Sequence, residues 1–364
     1  MTSVRVLVAP DKFAGTLTAV EAARAIAEGW VRRAPHDRLD LAPMADGGPG
    51  FVDVLHEALG GELSVVTVLG PHREPVPGVV LRRDHEAWVE SAQACGLALT
   101  GGEQAESATT WGVGELVGHA IEAGATEIVV GLGGSGTNDG GAGLLGALGA
   151  VADRPLDEGP AGLAGVSTVD LAPARTRLRG VRVTCASDVD SPLTGLFGAT
   201  KSFGPQKGIT EDRLPAVDEV LEQLAAATDR RTSLEKGAGA AGGLGFALLL
   251  LGAARRSGFA VVAEAVDLAA RARAADLVLT GEGAFDFSSR SGKVPYGVAA
   301  VAAEALRPCV AVAGQVLVGA REMRALGIES AYSLVDLVGE ERAFGDPAGS
   351  LARLAERVAR SWSR

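Results

Sequence analysis

Cysteine, histidine and aromatic residues are all scarce in this chain. The three cysteines in its 364 residues, Cys95, Cys185 and Cys309, stand far apart and form no Cys-x-x-Cys pair. That spacing argues against a disulfide framework and against a thiolate zinc site. Cys185 and Cys309 sit in apolar runs, which predicts buried thiols. The five histidines, His36, His56, His72, His85 and His119, form no ligand-spaced pair and no Ser-His-Asp pattern. Any chemistry therefore falls to carboxylates and lysines. Aromatic residues make up 4% of a chain that is 47% hydrophobic. A core of Ala, Val, Leu and Gly follows, which suits helices packed tightly on parallel strands. Lys and Arg number 34 against 45 Asp and Glu, for a net charge of -11. That balance argues against a nucleic-acid backbone as partner, although small anions can still bind local amide and Lys/Arg pockets. Long hydrophobic runs are missing too. The longest, Phe246-Ala-Leu-Leu-Leu-Leu-Gly-Ala-Ala254, falls well short of the roughly 20 residues that span a bilayer. The N-terminus leads straight into a strand-like run, Val4–Ala9, without a signal-peptide pattern. A soluble, cytoplasmic protein without a membrane partner is expected.

What the chain does have is glycine, 50 residues of it, and an alternation of strand-like and helix-like segments. Val4–Ala9 precedes an amphipathic helix, Thr18–Arg33, with Glu21 three residues after Thr18 as in a capping box. An extended stretch runs to Pro43, and a glycine-rich turn then opens a helix over Phe51–Leu59. Leu63–Leu69, Val79–Leu81 and Glu86–Glu90 read as strands without helices between them, a change of texture that marks a second domain from about residue 62. Helix Val113–Ala123 leads to strand Glu127–Gly131. Asp153–Pro173 reads as irregular, Val181–Ala186 as a strand, and Asp212–Ala227 and Gly245–Arg256 as helices. From Asp276 the alternation is regular again. Strands Leu277–Thr280, Cys309–Ala313 and Ala331–Leu334 are interleaved with helices, and they should join Val4–Ala9 in one parallel sheet. The expected fold class is α/β with two α/β domains. One is Rossmann-like and built from both chain ends (1–61 and 262–364); the other is inserted (62–261).

Polar, glycine-rich clusters punctuate this alternation. Ile128-Val-Val-Gly-Leu-Gly-Gly-Ser-Gly-Thr-Asn-Asp-Gly-Gly-Ala-Gly143 runs from a strand into a loop with seven glycines. Bare amides beside small oxygen ligands suit a phosphate, a carboxylate or a metal. Gly131, Gly133 and Gly136 formally match the dinucleotide fingerprint, yet Asn138-Asp139-Gly140-Gly141 follows where a plain helix should start. The acid expected to end a second strand some 20 residues on is also missing. A pure packing role for the glycines is the competing explanation. Pro10-Asp11-Lys12 follows the first strand, where open α/β sheets bind ligands. Asp46-Gly-Gly-Pro-Gly50 alone would be a turn. Asp188 and Asp190 follow another strand; in an extended chain both would face one side and could hold Mg²⁺, or divide into a base and a metal ligand. Turn capping before Pro192 is the plainer alternative. Phe203-Gly-Pro-Gln-Lys-Gly208 presents Gln206 and Lys207, and a lysine between glycine turns is a good phosphate contact. Glu282 and Asp286 leave a strand, and Lys293 precedes a helix where ammonium and amides can share an anion. Lys236–Gly245 is a weaker, glycine-rich helix entry. Lysines, carboxylates and glycine loops without histidine are the tools of phosphoryl transfer, which depends on charge neutralisation and positioning.

In order and spacing these clusters resemble the type 1 glycerate kinases (glycerate 2-kinases). The most specific pieces are Gly131–Gly143, Phe203–Gly208, Gly239-Ala-Ala-Gly-Gly-Leu-Gly245 and Thr280-Gly-Glu-Gly283. The likeness covers nearly the whole chain. It implies ATP-dependent phosphorylation of D-glycerate, usually at the 2-hydroxyl, with Mg²⁺, by two α/β domains with the site in the cleft between them. It carries over as binding positions Asp11, Lys12, Asp46, Ser135, Asn138, Asp139, Asp188, Lys207, Glu282, Asp286 and Lys293. On that basis Asp188 is expected as the base or hydroxyl-orienting group, with Asp190 or Asp139 toward Mg²⁺. Lys207 and Lys293 would neutralise the transferring phosphoryl group. Gly133, Gly134 and Ser135 would cradle a phosphate or the substrate carboxylate. A homodimer is compatible with this reading. The chain departs from the family pattern at Ala14 (usually Lys), Pro49 (usually Glu), Trp111 (commonly smaller or polar), Ala284 (near a common Arg) and Ser288 (often Gln). Changes in charge and bulk there can recast substrate choice. A kinase of another small hydroxy acid, a family member with weakened activity, a dinucleotide-dependent oxidoreductase and a non-catalytic sensor remain as alternatives.

Overall fold

The computed structural model describes residues 3–13, 15–286 and 294–363. Thirteen strands run in chain order among the described residues: β1 Arg5–Pro10, β2 Arg38–Leu41, β3 Glu62–Leu69, β4 Pro75–Arg83, β5 Glu86–Glu90, β6 Glu127–Gly131, β7 Val151–Ala152, β8 Val169–Asp170, β9 Arg182–Ala186, β10 Ala254–Arg256, β11 Leu277–Phe285, β12 Cys309–Val316 and β13 Ser330–Ser333. The chain is α/β and divides into two compact units. One comprises Met1–Asp46, Asp53–Leu59 and Phe259–Arg364, the other Gly47–Val52 and Gly60–Gly258.

The first unit holds a five-stranded parallel sheet in the order β13-β12-β11-β1-β2. Its central strands are apolar on both faces, with Val6, Val8, Leu277, Leu279, Val310 and Val312 buried on one and Leu7, Ala9, Val278 and Ala311 on the other. Such strands need helices on both sides. The helix Ala19–Arg33 starts as its sequence predicts. Thr18 Oγ1 accepts from the Glu21 amide at 3.1 Å, and the Thr18 amide donates back to the Glu21 carboxylate at 2.9 Å. Each half of this box satisfies an orphan helix-end group, worth about 1 kcal/mol. The helix packs on the last one, Pro347–Trp362.

The second unit holds a six-stranded mixed sheet, β10-β9-β6-β5-β4-β3. β5, β6, β9 and β10 are parallel, and the β3–β4 antiparallel pair extends one edge. The helix Trp111–Glu122 buries Val113, Leu116 and Val117 in a core shared with Ile128, Val130, Leu144, Leu145 and Phe246. Two expectations need correction. The helix expected over Gly245–Arg256 ends at Leu250, because Gly252 turns the chain at φ +90° and Ala254–Arg256 pairs with β9. Asp153–Pro173 is not wholly irregular: it holds the short helix Gly159–Leu163 and β8, which pairs with β7 just before it, and a further short helix, Ala172–Arg177, starts at its end. All three cysteines are free and buried. No helix among the described residues is long and apolar enough to cross a membrane.

Candidate functional site

In the second unit, the carboxyl ends of β6 and β9 carry the glycine-rich loop and the Asp188 segment. Ligands gather at such strand ends in parallel α/β sheets. A cavity of about 300 Å³ lies there. Gly133, Gly134 and Ser135 form one side, Lys207 and Gln206 a second, and Val189, Phe203, Leu97 and Leu132 supply apolar wall. The structure thus brings together four residues that the sequence placed in one site, Gly133, Gly134, Ser135 and Lys207, although they lie some 70 positions apart.

The loop's glycines serve close packing as well as exposure. A Cβ on Gly133 would fall 2.6 Å from the Gly48 Cα, and one on Gly134, held at φ +67°, would fall 2.7 Å from the Pro49 ring. The Asp46–Gly50 cluster therefore contributes its glycine turn as a backing for the loop. That turn is itself held by Glu90, whose carboxylate accepts from the Gly50 and Val52 amides at 3.0 and 3.3 Å. The other side of the loop is laced to the segment after Ser91: the Leu97 amide donates to the Gly134 carbonyl and the Gly136 amide to the Cys95 carbonyl. A helix begins only at Ala142. The Gly131, Gly133, Gly136 pattern therefore does not open a helix as a dinucleotide fingerprint does.

Lys207 dominates this cavity electrostatically. The short helical turn Pro205–Lys207, closed by Gly208 at φ +92°, points its side chain inward, and only 2% of the residue is exposed. Nζ donates to Ser135 Oγ at 2.9 Å and to the Thr137 carbonyl at 2.7 Å. Neither acceptor is charged, and no carboxylate lies within salt-bridge distance among the described residues. Burial pushes the ammonium down to about 8, against the opposing pull of Cys95 and Asp139. A buried cation without an anion is costly and is relieved by binding one. Ala241 lies in the same wall in the left-handed region, at φ 52° and ψ 42°. A non-glycine residue there stores backbone strain of the kind that collects at ligand sites. The Lys236–Gly245 cluster thus has a place: it wedges against the loop, with the Gly140 amide donating to the Gly242 carbonyl at 2.9 Å.

The two acids expected at the metal are each engaged by other groups of the protein. Asp139 is fully buried, and its carboxylate accepts from the Thr110 amide and hydroxyl and from the Gly141 and Gly143 amides, at 2.8–3.2 Å. Burial raises its pKa while those four donors oppose the rise. These four bonds make it the organiser of the loop, three of them to one carboxylate oxygen and one to the other. Asp190 is paired with Arg255 at 2.6 Å and Lys236 at 3.5 Å. A metal there would have to displace two cations. Nor is the Asp188–Asp190 segment a strand, because β9 ends at Ala186. Among the described residues no group of three or more His, Cys, Asp or Glu is placed to hold a metal ion. Asn138 does not line the cavity either; it is buried, and its Nδ2 donates to Thr200 Oγ1 at 2.9 Å. Trp111, expected in a substrate loop, starts a helix instead. Its ring lies against Gly146 and its Nε1 donates to Glu115 at 3.2 Å.

The first unit carries its own cluster at the carboxyl end of its sheet. Asp11 follows β1, and Glu282 lies in β11; both are buried. Lys12 Nζ is 3.6 Å from Asp11 and 3.6 Å from Asp46, bridging the two carboxylates. Burial raises Asp11 to about 6, with Lys12 pulling it down and Asp46 adding to the rise. Asp286 ends the described part of this edge, and Lys293, Ala14 and Ser288 lie outside the described residues. Sequence reasoning missed Leu97, Leu132 and Phe203 as cavity wall. Their only signal was position, next to glycine clusters or after a strand.

The family model for the glycerate kinase family matches residues 6–363. The glycerate kinase of Bacillus subtilis is 40% identical, with 98% of this chain and 97% of that protein covered. The glycerate 2-kinase of Escherichia coli is 35% identical over 98% of this chain and 97% of its own length. A crystal structure assigned to glycerate kinase 2 of Salmonella typhimurium LT2 superposes with a TM-score of 0.81 at 35% identity, covering 99% of this chain and 98% of that one. With near-complete coverage in sequence and in fold, the chain belongs to the glycerate kinase family, phosphotransferases that act on an alcohol group.

Proposed function

We propose that the protein transfers the γ-phosphoryl group of ATP to the 2-hydroxyl of D-glycerate, yielding 2-phosphoglycerate and ADP. The observation that carries this reading is Lys207, a buried cation without a carboxylate partner, in a small cavity edged by glycine amides. At about 300 Å³ the cavity sits at the low end of ligand-sized pockets, roughly 300–1,000 Å³, which suits a three-carbon acid. In this reading the substrate carboxylate takes the third Lys207 donor and the Ser135 hydroxyl. The apolar wall around Val189 and Phe203 excludes water, which favours transfer to the acid over ATP hydrolysis. Asp188, one residue before the wall residue Val189, accepts the proton of the attacking hydroxyl or orients that hydroxyl, and the proton then passes to solvent. The relatives' names support glycerate, and the Escherichia coli protein's name supports the 2-position.

The residues of the first unit fit a Mg²⁺–nucleotide. Mg²⁺ is usually held by one or two carboxylates plus substrate phosphates, without a full protein cage. Asp11 and Asp46 supply two acids; burial is the main cause of the raised Asp11 pKa, and the nearby Asp46 adds a repulsion that a divalent cation relieves. When bound, the ion neutralises phosphate charge. Lys12, already between the two acids, would hold their geometry and meet a phosphate oxygen. The test is ADP release measured against a panel of small hydroxy acids, with the product identified by NMR. D-Glycerate should be the best acceptor and should carry the new phosphate on O2. Turnover of another acid without turnover of glycerate refutes the assignment.

A further inference from the structure

The first unit contains an apolar cavity that the phosphoryl-transfer residues do not use. It measures about 190 Å³ and is lined by Phe13, Ala284, Gln315, Leu334, Val335 and Phe344, among others. Its place in the sheet is telling. The chain passes from β1 to β2 on one side of the sheet and from β11 through β12 to β13 on the other. The direction of winding therefore reverses between β1 and β11. Outside the carboxyl ends of strands at such a reversal is where open α/β sheets bind their ligands. Phe13 comes from the segment after β1, Ala284 from the end of β11 and Gln315 from the end of β12. The buried Asp11 and Glu282 stand two residues before Phe13 and Ala284 on these same strand ends.

The chemistry of the cavity is that of a flat ring. Gly283-Ala284 and Gly314-Gln315 run side by side in register, Ala284 opposite Gln315, and give a floor of backbone with almost no side chains. Phe344 is 58% exposed, a large apolar side chain left partly in water beside a void. Gln315 adds a side-chain amide to an otherwise mostly apolar wall. The volume is below the roughly 300 Å³ at which pockets begin to hold whole drug-sized ligands. One ring system fits, and a complete nucleotide does not. Apolar walls also disfavour phosphates, whose charge belongs with Lys12 and with a cation that the acids at the strand ends would hold.

We infer that this cavity is the nucleobase subsite of the phosphoryl donor, with Phe344 providing a stacking face. The inference rests on the reading of the protein as a nucleotide-dependent kinase. Stacking of a base on an aromatic side chain is worth roughly ten- to a hundredfold in affinity. In the full-length protein, Phe344→Ala should raise the KM for ATP and the Kd for ADP about tenfold. The KM for the hydroxy acid and the inhibition constant of tripolyphosphate, which has no base, should stay as in the unmutated protein. Ala284→Phe, which fills the floor, should do the same or more; Phe344 is exposed enough that its truncation leaves folding intact. Kinase turnover in which both variants keep the ATP KM within twofold overturns the base subsite alone. Equal affinity of the unmutated protein for ADP and tripolyphosphate overturns it as well. Absence of nucleotide binding and of turnover in the unmutated protein overturns the kinase reading and the subsite together.

Discussion

Replacing Lys207 by methionine isolates the buried charge, because methionine keeps the length and apolar stem and removes the ammonium. The lysine falls from the ordinary 10.5 to about 8 on folding. Each tenfold step is about 1.4 kcal/mol, so charging Lys207 in the fold costs about 3 kcal/mol. The sign follows from proton counts. Between pH 8 and 10.5 the unfolded chain holds a proton on Lys207 that the folded chain has released, so this residue's contribution to stability rises with pH across that window. Below pH 8 both states are protonated and the full cost is present. Cys95, Cys185 and Cys309 act in the opposite sense above pH 9, because burial raises their thiols to about 12, 11 and 12. The measurement must therefore be the difference between the two proteins, from urea unfolding at several pH values. The stability of the unmutated protein relative to Lys207→Met should improve by about 3 kcal/mol from pH 8 to 10.5. A bound carboxylate restores the charge. At pH 8 binding of the hydroxy acid should take up about half a proton, read by titration calorimetry in buffers of different ionisation enthalpy. Loss of a charge-assisted hydrogen bond should raise the KM for the acid roughly 10- to 100-fold at pH 7. A stability difference independent of pH, together with zero proton uptake, would refute the view of Lys207 as a buried cation, bonded only to neutral acceptors, that receives the substrate.

Asp139→Ala leaves four buried donors without an acceptor and should cost about 3 kcal/mol or more in urea unfolding; a loss below about 1 kcal/mol would contradict its role as the loop's organiser. Gly133→Ala forces a Cβ against the Gly48 backbone and should destabilise by about 1–3 kcal/mol, with a matching rise in the KM for the acid and little change in the KM for ATP. Asp188→Asn should lower kcat by roughly a hundredfold or more at saturating substrate, and turnover equal to the unmutated protein would remove Asp188 from its proposed role. Asp11→Asn should weaken the Mg²⁺ dependence of nucleotide binding by roughly tenfold or more, seen as a rise in the Mg²⁺ concentration for half-maximal rate with the KM for the acid unchanged.

How much of this was legible depends on how local each determinant is. The Thr18–Glu21 box spans three residues, and its geometry in the fold is the one that the spacing predicts. The helix end near Leu250 is not legible in the sequence because apolar periodicity carries on through Leu251-Gly-Ala-Ala254, while the deciding facts are a glycine at φ +90° and the pairing of Ala254–Arg256 with β9, a partner 70 residues upstream (Ala254 with Thr184). The parallel sheet of the first unit was readable from alternation, since a strand–helix–strand repeat admits few other solutions.

The acids mark the harder limit. Asp139, Asp188 and Asp190 look alike in the chain, each following a strand in a glycine- or serine-rich stretch. What separates them is distant. Asp139 is claimed by Thr110, 29 residues before it, and Asp190 by Arg255, 65 residues after it. Lys207 shows the converse. Its type and its glycine neighbours mark it as an anion contact, but a surface lysine would look the same. Its force comes from acceptors 70 and 72 residues upstream that are neutral. Had either been a carboxylate, the charge would be satisfied within the fold and the cavity would have no pull on an anion. The glycine-rich loop thus does two things at once. Its glycines let it pack against the Gly47–Gly50 turn, and Ser135 and Thr137 within it hold an ammonium without neutralising it. Packing and charge capture are not competing explanations of that loop, because the close backing is what fixes the neutral acceptors around Lys207.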